Sequence, residues 1–311
     1  MYLAPCHHRK DRMNRRKTRA LRLLLLLFAA LSACKRTGTG NLDPGLAALM
    51  PPDASMLAGF QMDAIRATPL YRKFVLERQL PALDEFALQS GFDPRRDVNH
   101  LLLAEDGDGF LLAARGAFKE STFTRFEKQN YQGHTLYVSG RQGAALIDDS
   151  IAVAGFLPAV KSALGRYPSG GRTGPAALLA RARDVPHENQ VWFVSQGSGS
   201  ALDKILPETG SAANAARILE GLDDAAFVAD LRDGVHASLS GTCPTEADAK
   251  SLGDSARGLI GLAKLAIPPQ RPDLLHVWDG ISVSQQQRSV TIEVNIPENL
   301  LEKLVAMLER R

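Results

Sequence analysis

Cysteine is scarce in this sequence, and so are the patterns that usually carry catalysis. The 311 residues contain three cysteines, Cys6, Cys34 and Cys243. A Gly-x-Ser-x-Gly nucleophile turn is missing, because the segments around Ser198 and Ser255 have the wrong spacing. A phosphate-binding Gly-x-x-x-x-Gly-Lys loop is missing too. We therefore predict no catalytic residues and no cofactor.

Metal-binding patterns are equally scarce. The run Asp106-Gly107-Asp108-Gly109 begins like a calcium loop, but Phe110 takes the next ligand position and no glutamate closes the loop. A hairpin turn explains it better. None of His100, His134, His187, His236 and His276 has a partner at a metal-ligand spacing. We therefore predict no metal site.

The remaining polar candidates have simpler explanations. Cys243 precedes Pro244 at a predicted helix start, where a thiolate could be stabilised, but a half-buried small side chain is the favoured interpretation. The acidic pairs 148–149 and 223–224 are typical of turns. A catalytic carboxylate pair would need partners that the sequence does not reveal.

Long hydrophobic runs are missing after residue 33, and the one run before it is short. Leu23–Ala33 covers 11 residues, which fits the 7–15 of a signal-peptide core rather than the roughly 20 of a membrane-spanning helix. A basic segment precedes it, including Arg15, Arg16 and Lys17. This order predicts a secretion signal over residues 1–33, with Met1 or Met13 as its start.

The signal closes with Leu31-Ser32-Ala33-Cys34. This segment resembles the lipobox of bacterial lipoproteins at all four positions. The resemblance implies cleavage between Ala33 and Cys34 and attachment of lipid to Cys34, so that lipid binds the protein to a membrane. Lys35 follows the cysteine, where lipoproteins retained at the inner membrane carry Asp. By that analogy we expect the periplasmic side of the outer membrane if the cell has two membranes.

The predicted cleavage changes the charge and the cysteine count. The full sequence has a net charge of +3, but eight of its 37 basic and one of its 34 acidic residues precede Cys34. The remainder is acidic by four charges, which removes any argument for nucleic-acid binding. Cys243 is then the one remaining unmodified cysteine, so an intramolecular disulfide and a metal site built from cysteines are excluded.

The chain after the signal divides into a tether and two halves. Residues 34–47 contain Gly, Thr and Pro in a pattern typical of a flexible tether. Residues 168–184 begin with a Gly/Ser/Pro-rich stretch that predicts a linker. They separate two predicted α+β repeats, 48–167 and 185–311.

A helix is predicted to begin at Thr68-Pro69, with others over about 119–129 and over about 244–266, the last with apolar residues at helical spacing. Strands are predicted over 275–284 and 288–296, and the second alternates apolar with polar residues.

Each half alternates short strands with amphipathic helices in a similar order. Asp108–Gly116 matches Asp233–Gly241 in the positions of Asp-Gly and the closing glycine. Ser150–Pro158 matches Ser289–Pro297, each a strand followed by a helix that begins with proline. We therefore predict two tandem β-α-β-β-α-β-like, ferredoxin-like halves, with antiparallel sheets and helices on one face.

The folded part also resembles uncharacterised exported bacterial proteins that open with Leu-Pro-x-Asp-Ala, through Leu49–Ala54. That resemblance implies fold and location only. We expect a lipid-anchored envelope protein with a binding or structural role and without enzymatic activity. It would bind an envelope protein, a polymer or a hydrophobic ligand through its sheets or the cleft between the halves. The alternative is a periplasm-facing enzyme whose site is assembled from scattered residues.

Replacing Cys34 tests the predicted anchor. Cys34→Ala should release the protein from membranes or block its processing, because it removes the sulfur that would carry the lipid. Membrane fractionation and the mass of the processed chain measure this, with Cys243→Ala as the matched cysteine control. Processing at Ala33 with unchanged membrane attachment would contradict the lipoprotein prediction.

Overall fold

The computed structural model describes most of the chain after residue 40. The described residues are 41–76, 81–90, 93–107, 109–118, 126–167, 174–197, 221–265, 267 and 274–308. The signal, the predicted cleavage site and residues 34–40 lie outside them. The residues from Thr39 to Arg311 form a compact unit.

Twelve strands of the described residues form one antiparallel sheet. The strands are β1 Met56–Gln61, β2 Val98–Glu105, β3 Phe110–Gly116, β4 Glu127–Tyr131, β5 His134–Ser139, β6 Gln142–Asp148, β7 Ile151–Phe156, β8 Val191–Gln196, β9 Asp224–Asp230, β10 Gly234–Thr242, β11 Ile281–Gln286 and β12 Ser289–Pro297. Their order is β11-β12-β10-β9-β8-β1-β2-β3-β7-β6-β5-β4. The predicted α+β class with antiparallel strands is confirmed.

Ten helices are described. They are α1 Pro44–Ala47, α2 Met62–Arg66, α3 Pro69–Tyr71, α4 Pro81–Ser90, α5 Pro94–Asp97, α6 Leu157–Arg166, α7 Ala176–Arg183, α8 Glu246–Leu265, α9 Leu275–Asp279 and α10 Glu298–Leu308. A π-helical turn, Arg72–Leu76, continues α3. The side chain of Thr68 accepts a hydrogen bond from the Tyr71 backbone N–H, and Thr245 does the same for Asp248, so both residues cap a helix start.

The ferredoxin-like strand order is not what the sheet shows. In a βαβ unit a helix joins parallel strands, whereas β1 and β2 are antiparallel neighbours although helices lie between them in sequence. Outward from the centre the two halves instead share one order, β1-β2-β3-β7-β6 and β8-β9-β10-β12-β11. β3 and β10, which carry the matched Asp-Gly segments, hold equivalent places. The first half adds the β4–β5 hairpin at its outer edge.

The strands that end the two halves, within Ser150–Pro158 and Ser289–Pro297, differ in register by one residue. Leu112 pairs with Ala154, and its counterpart Ala237 pairs with Val294. The sequence match aligns Ala154 with Glu293, so it would pair Ala237 with Glu293 instead. Because side chains alternate between the faces of a strand, a shift of one residue moves every side chain to the other face.

The two faces of the sheet are therefore used differently. Face A carries Leu57, Leu102 and Leu111, and face B carries Ala58, Leu101 and Leu112. Helices α6 and α7 cover face A through buried residues such as Val160 and Leu178. Helix α8 covers face B of the second half, where Ala249 joins a cluster with Val290. Helices thus lie on both faces of the sheet, which corrects the prediction of one helical face.

Two predicted domain boundaries are wrong. The segment assigned to the tether is folded from Asn41 onward: Leu42, Leu46 and Ala47 are buried, and the Asn41 amide donates to the Pro186 and Asn189 carbonyls at 2.8 and 2.7 Å. The segment assigned to the linker includes α7, which packs on β8 and β1. Their apolar residues complete the core of face A.

Asp43 holds the start of this segment in place. It caps α1 by accepting from the Gly45 and Leu46 backbone N–H groups, and it forms an ion pair with Arg115 of β3. Burial by itself would raise the pKa of Asp43, but the Arg115 guanidinium and the two backbone donors outweigh it and keep the pKa below its ordinary value. The charged carboxylate is thus the form that the fold favours.

Gly59 and Trp192 meet where the halves join. They are register partners in the β1–β8 pair, and a Cβ at Gly59 would overlap the indole of the buried Trp192. Gly59→Ala should therefore lower the free energy of unfolding by about 1–3 kcal/mol. Denaturant melts measure it.

Two variants control this prediction. Gly258→Ala adds a methyl on α8 with no atom within 4 Å, so it should raise stability by up to about 1 kcal/mol. Trp192→Phe leaves more space beside Gly59. In the double variant, Gly59→Ala should therefore lower the free energy of unfolding by less than it does in the wild-type background. Equal effects at Gly59 and Gly258 would show that the junction is not tightly packed.

Candidate functional site: an apolar cleft on face B

A cleft of about 410 Å³ opens on face B of the first half. Small side chains form its floor, because Ala154 of β7 is paired with Leu112 of β3 on one side and Ala144 of β6 on the other. The flanking pairs place Ala114, Ala152 and Leu146 on the same face. Because alanine side chains are short, the cleft is deeper than it would be with larger residues on its floor.

Larger apolar residues form the ends of the cleft. Val98 and Leu101 belong to β2, and Phe118 follows β3. At the opposite end lie Phe126 and Tyr137 of the β4–β5 region. From β5 to β2 the cleft crosses four strand spacings, about 19 Å at about 4.8 Å each.

The cleft exists because one connection differs between the halves. In the second half the chain passes from β10 to β11 through α8, which contacts β11 and β12 and covers face B. In the first half the equivalent step, from β3 to β6, includes the β4–β5 hairpin. Among the described residues the hairpin extends the sheet sideways, and Met62 of α2 packs against the β2 end of the apolar face while the cleft stays accessible.

The described residues that line the cleft include no charged side chain. Their polar groups are Ser139, Gln142 and the Tyr137 phenol. Groups suited to acid–base catalysis or metal binding do not converge there, and no cluster of three or more His, Cys, Asp or Glu occurs among the described residues. The arrangement suits an apolar ligand.

The other residues considered from the sequence lie elsewhere. Asp148 accepts from the Ser150 and Ile151 backbone N–H groups in a turn, while Asp223 and Asp224 pair with Arg288 and Arg181. The five histidines belong to separate places in the described fold: His100 faces Asp63, His236 faces Asp233, and His276 faces Asp279. Ser198 and Asp108 lie outside the described residues.

Sequence reasoning missed the cleft. A helix was expected over residues 119–129, where it would have covered part of the sheet, but Glu127–Tyr131 is strand β4. Residues 119–125 lie outside the described part of the chain. The sequence of Glu127–Tyr131 lacks the apolar repeat of an amphipathic helix, and this absence argues against a helix there.

These features define an α+β protein with a large antiparallel sheet and an accessible apolar face. Neither the protein-family models nor the curated proteins gave a match. Among solved structures, crystal form III of TP0453 is similar, with a TM-score of 0.52 and 13% identity over 86% of this chain and 98% of that chain. Crystal form I of TP0453 gives a TM-score of 0.47 at 12% identity over 86% and 98%. At this identity the likeness to crystal form III shows the fold alone.

Cys243 is buried rather than half-buried. It is 1% exposed within the cluster beneath α8. Burial raises the pKa of its thiol, and the carboxylates of Asp248 and Asp223 raise it further. Little thiolate is therefore present at neutral pH, which argues against a nucleophile.

The thiol should accordingly be inert in the folded protein. Iodoacetamide should leave Cys243 unmodified under native conditions and alkylate it in denaturant, as peptide mass spectrometry would measure. Cys243→Ser should fold with a loss of about 1–3 kcal/mol, because the hydroxyl enters an apolar cluster. Rapid native alkylation, or loss of function in a folded Cys243→Ser variant, would revive the nucleophile hypothesis.

Proposed function

We propose that this protein is a lipid-anchored envelope protein without enzymatic activity that binds an elongated apolar ligand in the cleft on face B. The observation that carries the proposal is the apolar floor between Leu101 and Tyr137, which has no charged lining side chain among the described residues. The anchor rests on the lipobox-like segment ending at Cys34. The periplasmic side of an outer membrane is the favoured location if the cell has two membranes.

The size of the cleft suits a small-molecule ligand. Its volume of about 410 Å³ lies within the roughly 300–1,000 Å³ of small-molecule sites. An acyl chain is narrow enough to extend along the alanine floor, and each buried methylene contributes about 0.8 kcal/mol.

No helix within the described residues is long and apolar enough to cross a membrane. In the proposed arrangement the lipid on Cys34 provides the attachment. The chain from Cys34 to Asn41, the first described residue, then spans seven residue-to-residue steps, and at full extension it reaches about 25 Å. The folded part would therefore stay close to the membrane surface.

We also infer that the two halves derive from a repeat. Their five shared strands have the same order outward from the β1–β8 junction, and the Asp-Gly hairpins occupy equivalent places. Under this proposal the cleft marks where the two copies diverged. The second copy kept a helix over face B, whereas the first replaced it with a hairpin and gained a binding site.

Filling the cleft tests the binding function. Ala154→Phe should abolish binding of a fluorescent fatty-acid probe, because the ring projects from the centre of the floor into the space that the ligand needs. The full chain with Cys34→Ala, purified without detergent, is the protein to use. Ser284→Phe is the matched control, since it adds the same ring to an exposed position of β11.

The length of the ligand provides a second measurement. Affinity should rise by up to about fourfold for each added methylene and level off when the chain spans the cleft. Thermal melts check that both variants remain folded. Unchanged binding in a folded Ala154→Phe variant, or equal losses in both variants, would refute the cleft as the site.

A further inference from the structure

A cation lies beside the outer end of the cleft. Lys128 of β4 is the register partner of Tyr137 of β5, so both side chains lie on face B. The Lys128 Nζ atom lies 5.5 Å from the centre of the Tyr137 ring, and that ring lines the cleft. The Lys128 ammonium group therefore lies beside the end of the apolar floor that Tyr137 forms.

This ammonium has no carboxylate partner among the described residues. The neighbouring acid on β4, Glu127, is paired with Val138 and therefore points to face A, where it accepts a hydrogen bond from Gln129. At the opposite end of the cleft the charges around Pro94 are neutralised, since Asp93 pairs with Arg95 and Asp97 with Arg96.

Two other cations near the cleft have different partners among the described residues. Arg66 donates hydrogen bonds to the Val98 carbonyl and the Asn99 side chain, and Arg141 lies 5.0 Å from the centre of the Phe156 ring. Lys128 differs from both, because the ring that it contacts lines the cleft.

We propose that the ligand is an anionic single-chain amphiphile, whose acyl chain lies across β6, β7 and β3 and whose anionic head group pairs with Lys128. The proposal deepens the proposed function and rests on it. Ser139, on the same face as Tyr137 and lining the cleft, adds a hydroxyl that can donate a hydrogen bond to the same head group. A carboxylate and a phosphate share the charge and acceptor oxygens that this end would recognise.

The same hairpin offers a matched control. Lys161 of α6 lies 5.5 Å from the centre of the Tyr131 ring, the same separation as between Lys128 and Tyr137. Tyr131 packs against the face A core, so this second lysine–tyrosine pair lies on the opposite side of the sheet from the cleft. Lys161→Gln therefore removes an equivalent charge and ring contact without touching the cleft.

The test compares three ligands with one chain length: hexadecanoate, hexadecyl phosphate and hexadecanol. Each displaces a fluorescent fatty-acid probe from the full chain with Cys34→Ala. The two anions should bind about two- to fivefold more tightly than the alcohol, which is the range of a partly exposed ion pair. Lys128→Gln should remove this preference and leave the affinity for hexadecanol unchanged, and Lys161→Gln should change neither. Higher salt should reduce the preference.

Each outcome separates the two proposals. A preference for the carboxylate would indicate a free fatty acid as the ligand, and a preference for the phosphate would indicate a phospholipid-derived amphiphile. Equal binding of all three ligands, or an anion preference that survives Lys128→Gln, would overturn the head-group assignment while leaving apolar binding intact. Failure of all three ligands to bind would overturn the proposed function itself.

Discussion

The pairing of β1 with β8 is the contact on which the rest of the sheet depends. Seven strands lie on one side of this junction and five on the other, and within the described residues no other strand pair connects them. The close approach of Trp192 to Gly59 is possible because glycine has no side chain. The residues around this contact, including Leu57 and Val194, are almost fully buried and belong to the core of face A.

The second constraint is which face of the sheet carries the larger apolar side chains at the end of each half. On β12 the apolar residues Val290, Ile292 and Val294 point to face B, and Thr291 and Glu293 point to face A. On β7 the larger apolar residues, Ile151 and Val153, point to face A instead. The helices follow this difference, since a helix must cover the apolar side. The accessible face of the first half, and with it the cleft, is thus a consequence of a one-residue offset combined with a hairpin in place of a helix.

Local patterns with a clear physical cause predicted structure well. Thr68-Pro69 was expected to open a helix, and the Thr68 side chain does cap one. The alternation of β12 and the long apolar repeat of α8 were also recognised. The segment 275–284 was expected to be a strand, but Leu275–Asp279 is a helix that ends at Gly280 before β11 begins. Short apolar runs fit either structure, and the choice depends on the neighbours that they meet in the fold.

The sequence alone determined features that depend on neighbouring residues, namely most strands and turns and the α+β class. The signal and the lipid site remain predictions from the sequence. The sequence could not determine which strands of different halves pair, that residues 41–50 and α7 belong to the core, or where the sheet stays uncovered. Those features depend on contacts between residues far apart in the chain, such as Asp43 with Arg115, separated by 72 positions. In the sequence Lys128 is an ordinary charged residue, within a segment that was expected to be a helix. Its place beside the apolar floor is decided by the register of β4 against β5 and by the position of that hairpin at the outer edge of the first half.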